Sequence, residues 1–125
     1  MTTTPPRCIT RGQAREVGPA DHLVHEYYEQ QVPEIGLATA VIEGDHPDDG
    51  GARWVRNDEV EEMLYVIRGR GQVRFADGEV VTLEPQVAVW IPRRTKFRYE
   101  GALGLEIVVA TSPAWRPEQH VFSAD

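Results

Sequence analysis

Glu62 opens an apolar run, Met63-Leu-Tyr-Val-Ile67, and follows Arg56 and Asp58 closely in the chain. Alternate side chains of a strand share a face, so Arg56, Asp58, Glu62, Leu64 and Val66 fall on one side if no bulge intervenes. Phe97, with Tyr99 on the same side, would meet them from facing strands. The result is a pocket with one cation, two carboxylates and an aromatic wall. A carboxyl walled by Leu64, Val66 and Phe97 has its pKa raised and can give and take protons near neutrality. A guanidinium keeps its charge at any working pH and can hold an anionic or enolate oxygen. The same charges could also pair only with each other and serve as structural glue. A catalytic role needs Arg56 and Glu62 apart, and the expectation is that Asp58, two residues from Arg56, holds the guanidinium.

The four histidines look less eventful. His22 and His25 would face opposite ways on a strand, His46 lies in the loop Asp45-His-Pro-Asp-Asp-Gly-Gly51, and His120 lies in a proline-interrupted segment. Surface or hydrogen-bonded histidine is the expectation for each, with His120 the best candidate to fold back near a pocket. The cluster Arg93-Arg94-x-Lys96-x-Arg98 reads as solvated turn residues, neutralised by Asp58 to Glu62. No P-loop, no Gly-x-Ser-x-Gly and no dinucleotide fingerprint is present.

Short strands must position these residues. Nine prolines and eleven glycines punctuate the apolar runs, which suits an all-β chain. Strands are expected at Gly36 to Ile42, Met63 to Ile67, Gln72 to Phe75, Val80 to Leu83, Val87 to Ile91, Lys96 to Tyr99 and Leu105 to Val109. Gly69-Arg-Gly71 reads as a hairpin turn, and Asp77-Gly78 as a type I′ turn with positive φ at both positions. Residues 21–32 fit either a helix or a strand, and a strand over Leu23 to Glu29 is preferred. About eight strands with tight turns mean a sandwich or small barrel. The whole chain, 1–125, is expected to be one domain, with 1–7 a loose arm and 113–125 a tail.

The segment Glu62-Met-Leu-Tyr-Val-Ile-Arg-Gly69-Arg-Gly71 resembles the first motif of the cupin superfamily, G-x5-H-x-H-x3-E-x6-G. Gly50, Glu62 and Gly69 keep its spacing, while Arg56 and Asp58 stand at the two histidines. In the second motif, G-x5-P-x-G-x2-H-x3-N, Pro92 fits the proline. There Gln86 and Arg94 replace the glycines, Phe97 the histidine and Gly101 the asparagine. The two motifs span residues 50–101. The resemblance implies a double-stranded β-helix, or jelly roll, with a ligand-sized mouth and often a homodimer. It also implies that this chain keeps only Glu62 of the usual three-histidine, one-glutamate metal set. Phe97 has no lone pair and Arg56 is a fixed cation, so no tight transition-metal site and no cofactor are expected.

Three functions fit. The favoured one is a metal-independent enzyme moving protons on a small organic molecule, as an isomerase, epimerase, dehydratase or cyclase. Glu62 and Arg56 would be its catalytic residues, and Asp58, Leu64, Val66, Phe97, Tyr99 and His120 would bind the ligand. The others are a non-catalytic binding or sensing module, and a metal cupin with an oxygen-rich site. Thirteen basic against twenty acidic residues, a net charge of −7, argue against nucleic acid and anionic membranes as partners. Cys8 is the single cysteine, and no apolar stretch is long enough to span a bilayer or act as a signal. A cytoplasmic homodimer with a small-molecule ligand is the expectation.

Overall fold

The computed structural model describes residues 8–27 and 34–125. Among them there are nine strands, one 3₁₀ turn and no α-helix. The strands are β1 Arg15–Val17, β2 His22–Glu26, β3 Gly36–His46, β4 Trp54–Asn57, β5 Glu61–Phe75, β6 Val80–Leu83, β7 Ala88–Ile91, β8 Phe97–Ser112 and β9 His120–Ser123. All pairings are antiparallel, in the order β1-β2-β3-β8-β4-β9, with β5 joining β8 to β6 and β7. The sheet curls on itself into a jelly-roll barrel, which is the expected fold class.

Two long strands replace four short ones. Gly69-Arg-Gly71 is not a hairpin turn, because β5 keeps β8 as its partner on both sides of it, from Met63↔Ala110 to Val73↔Tyr99. Register shifts at 66/68, 68/70 and 70/72 absorb the bend. Gly69, at φ 81°, meets the backbone of Gly104, and a Cβ there would lie 2.1 Å from the Gly104 carbonyl oxygen. The two backbones touch at this corner of the barrel only because Gly69 has no side chain. The runs Lys96 to Tyr99 and Leu105 to Val109 likewise merge into the bent β8.

The Asp77-Gly78 hairpin forms, but through another turn. The Phe75 N–H donates to the Glu79 carbonyl at 2.8 Å, and only Gly78 of the pair has positive φ, at 100°. That is a three-residue connection with glycine in the left-handed position. Residues 22–26 are strand, as preferred, whereas Tyr28 to Pro33 and the arm 1–7 lie outside the described residues. In the segment read as a tail, β9 pairs in register with β4.

Gln86 and Arg94, the residues standing at the two glycines of the second motif, have φ of 74° and 69°. They are the only non-glycine residues with positive φ among those described. The backbone keeps the glycine conformation where the sequence has lost the glycine. We expect Gln86→Gly, at an exposed site, to raise stability by about 0.5–1 kcal/mol in urea denaturation with an unchanged m-value. A loss of stability would mean that the Gln86 side chain matters more than its backbone.

The core is the inner face of the curl. Ile42, Leu64, Val66, Val73, Leu83 and Leu105 are each 0% exposed, and Phe97 and Tyr99 close one side. No helix among the described residues is long and apolar enough to cross a membrane.

Candidate functional site

A cavity of about 240 Å³ opens inside the curl. Residues of β1 to β5, β8 and β9 line it, together with Trp115. Most of the lining is apolar, with Glu26, Asn57, Glu62, Thr111 and three histidines as exceptions. Among the described lining residues none is Lys or Arg.

Strand pairing explains the placement of the polar groups. Glu62 stands opposite Thr111 on β8 and Ile91 on β7, so its carboxyl enters with a hydroxyl beside it. His22 is carried in by its register with Ile42, His46 by its register with Tyr99, and His120 by its register with Asn57. The rings of His22 and His46 stack at 3.8 Å and 22°. The His120 ring meets Trp115 and Phe122 edge-on, at 5.3 and 5.2 Å.

Burial sets the protonation states. Removal from water pushes the Glu62 carboxyl up from 4.5 to about 7. The Tyr99 phenol is driven well above its usual range, first by burial and then by the nearby Glu62 charge. His22 is lowered to about 3 by burial, with His46 and His120 adding repulsion. His120 is lowered to about 4 by burial and by His46. For His46 burial again lowers the value and outweighs the attraction of Asp21 and Asp49. Near pH 7 the cavity therefore holds three neutral imidazoles and a carboxyl poised between its two forms. Among the described residues, His22 Nδ1 and Thr111 Oγ1 are buried without a hydrogen-bond partner, and both belong to lining residues. Unmet buried polar atoms of this kind suit a ligand.

Of the residues singled out in the sequence, Glu62, Phe97, Tyr99 and His120 line the cavity together. Leu64 and Val66 point inward but pack in the core outside the lining. Arg56 and Asp58 are not in the lining either. Arg56 Nε donates to Asp58 Oδ1 at 2.5 Å and Nη2 to Oδ2 at 3.4 Å, a half-buried pair, and among the described residues no cation pairs with Glu62. The one-face reading fails because Asp58 to Val60 form a bend between β4 and β5, and the alternation restarts there. On β4 the inward residues are Val55 and Asn57.

Two histidines correct the expectation of uneventful positions, since His22 and His46 line the cavity, while His120 folds back to it as expected. His25 does face the other way, toward Glu16 at 3.3 Å. Asn57, Thr111, Trp115, His22 and His46 are the site residues that sequence reasoning missed. For His22 the signal was present, because two histidines three apart on one strand cannot both face outward.

No protein-family model and no curated protein matches the chain by sequence. Solved structures do match its shape. A Streptomyces PAC13 variant solved with uridine superposes with a TM-score of 0.78 at 15% identity, over 94% of this chain and 91% of that one. PAC13 is described as a nucleoside dehydratase. Ectoine synthase from P. lautus gives 0.68 at 13% identity, over 86% and 79% of the two chains. KdgF from Halomonas sp. gives 0.68 at 14%, over 91% and 98%. Shared along nearly the whole chain at so low an identity, the likeness is one of architecture, and this chain has the cupin fold.

Proposed function

We propose that the protein is a metal-independent enzyme that moves protons on a small, uncharged organic molecule, with Glu62 as its general acid and base. One observation carries this reading: a carboxyl with no cationic partner among the described residues, in a largely apolar cavity, with its pKa at about 7. A group so poised can both donate and accept at working pH. Arg56, committed to Asp58 outside the lining, has no place in this scheme. Substrate oxygens would meet neutral donors instead, such as the Tyr99 phenol and the Thr111 hydroxyl. Metal independence is part of the proposal because Arg56, Asp58 and Phe97 stand where the cupin motifs carry histidine, and a guanidinium and a phenyl ring ligate no metal.

Within this class, elimination of water from a hydroxyl-bearing molecule is favoured, because PAC13, similar in fold, is a nucleoside dehydratase solved with uridine. The test is a thermal-shift screen of uncharged nucleosides, sugars and polyols, beginning with uridine, on chelator-treated protein. Any hit is then followed for conversion. Conversion that persists in chelator and disappears in Glu62→Gln supports the proposal. Conversion that requires added metal overturns it, and a ligand bound but never converted would mark a binding module instead.

The same chain presents an apolar outer face. Met63, Tyr65, Ile67 and Trp90 are 48%, 45%, 42% and 58% exposed, and Met63 pairs directly with Trp90 across β5 and β7. Contiguous apolar surface of this kind is unusual on a monomer, and it supports a homodimer packed sheet on sheet. Sedimentation at micromolar concentration is expected to show a species of twice 14.1 kDa, converted to monomer by Trp90→Glu. A monomeric wild-type chain would refute it. The exposed, unpaired Cys8 favours the cytoplasm as its compartment.

A further inference from the structure

The side chain of Asn57 bonds to both Glu62 and His120. Its orientation can be deduced atom by atom. Gln119 Oε1 accepts the Glu59 N–H at 3.1 Å, so the other terminal atom of Gln119 is the Nε2 donor. That donor lies 3.0 Å from Asn57 Oδ1, and Trp115 Nε1, which can only donate, lies 3.2 Å from the same atom. Two obligate donors identify it as the carbonyl oxygen. His120 Nδ1 sits 2.8 Å from this oxygen and must carry its hydrogen to bond there. A neutral imidazole has one N–H, so the Nε2 of His120 holds the lone pair. On its other side, Asn57 Nδ2 donates to Glu62 Oε1 at 3.3 Å. With Oε1 occupied as an acceptor, the proton of the neutral carboxyl belongs on Oε2.

We propose that Asn57 is a positioning residue that holds His120 as the Nδ1–H tautomer, making His120 Nε2 the proton acceptor of the cavity while Glu62 Oε2 is the proton donor. This rests on the cavity being a proton-transfer site, and it narrows the role of Glu62 there from acid and base to acid, with His120 as the base. In an elimination, His120 Nε2 takes a proton from carbon and the C–H electron pair becomes the new double bond. The C–O bond breaks, and the departing oxygen takes the Glu62 proton and leaves as water. His120 is then protonated and Glu62 ionised, and return of the proton through solvent restores both. No oxidant, reductant or metal is needed to balance the step. Direct pairing of Asn57 with His120 across β4 and β9 keeps the geometry fixed before any ligand arrives.

Long-range ¹⁵N–¹H NMR of the labelled, full-length protein reads the tautomer directly at pH 7, without a substrate. The expected spectrum has His120 protonated on Nδ1 and bare on Nε2. In Asn57→Ala the Nε2–H form should appear, whereas Asn57→Asp, which keeps an acceptor, should restore Nδ1–H and raise the His120 pKa by more than one unit. A wild-type His120 protonated on Nε2 overturns the proposal even if Asn57→Ala fails to fold. So does an unchanged tautomer in folded Asn57→Ala. These outcomes are independent of whether Glu62→Gln loses activity, so failure here and failure of the broader reading can be told apart.

Discussion

Glu62→Gln is expected to be more stable than the wild-type protein at pH 8, by about 3 kcal/mol, while losing turnover altogether. The sign follows from linkage. Folding raises the Glu62 pKa from 4.5 to about 7, so the native state holds this proton more tightly than the unfolded chain does. Native stability is therefore undiminished below the ordinary value, falls as pH rises through 4.5 to 7, and stays reduced above that. A shift of about 2.5 units is worth about 3 kcal/mol. Glutamine never ionises, keeps an oxygen for Asn57 Nδ2, and escapes the penalty. Urea titrations of both proteins at pH 8 and pH 4 should differ by about 3 kcal/mol and by nearly nothing, respectively. A less stable variant at pH 8 would show that the Glu62 charge is solvated or paired, and the acid–base reading would go with it.

The histidines work in the opposite direction. His22 and His120 are lowered from 6.5 to about 3 and about 4, so the unfolded chain binds their protons more readily than the native state. Their neutral burial is fully tolerated above pH 6.5, and each subtracts up to about 1.4 kcal/mol for every unit of pH below it. By pH 5 the pair should cost about 4 kcal/mol. Wild-type protein recovers about 2 kcal/mol of this over the same interval as Glu62 regains its proton, so the full slope is visible only in the Glu62→Gln background. Stability of that variant measured at pH 7 and pH 5 should drop by about 4 kcal/mol. A flat profile would mean that the imidazoles reach water, contrary to the burial of His120 beside Phe122 and Trp115 and of His22 against His46.

How much of this was legible in the sequence depends on how local the signal is. The apolar stretches of β3, β6 and β7 were, and so was the Glu62 environment, which its own strand and Phe97 define. The short strands β1, β4 and β9 carry no such stretch, and β5 and β8 continue through glycines that read as breaks. The jelly roll followed from motif spacing that survived the loss of most motif residues, and Gln86 and Arg94 retain the backbone of glycine to keep it. What failed was parity across a bend. Asn57 and Glu62 are five residues apart and both face inward, which no continuous strand allows, so Arg56 was assigned the place that Asn57 holds. The second failure was of register. His22, His46 and Thr111 owe their positions to partners far away in the chain, Ile42, Tyr99 and Glu62, and nothing in the residues themselves announces those pairings.

The bond from His120 to Asn57 spans 63 residues of chain, and the one from Trp115 to Asn57 spans 58. Closing so long a loop costs conformational entropy that the few contacts between β4 and β9 cannot meet alone. The β5–β8 pairing, nested inside that loop, shortens the effective distance first. Refolding should accordingly be slow for a chain of this size, in the millisecond-to-second range typical of non-local β topologies. Sheet formation seen by far-UV circular dichroism should run ahead of the fluorescence change of Trp115, read in a chain with Trp54 and Trp90 replaced by phenylalanine. If that order is observed, the site is the last part of the fold to form, and a chain halted one step short of native would have its barrel wall but no cavity.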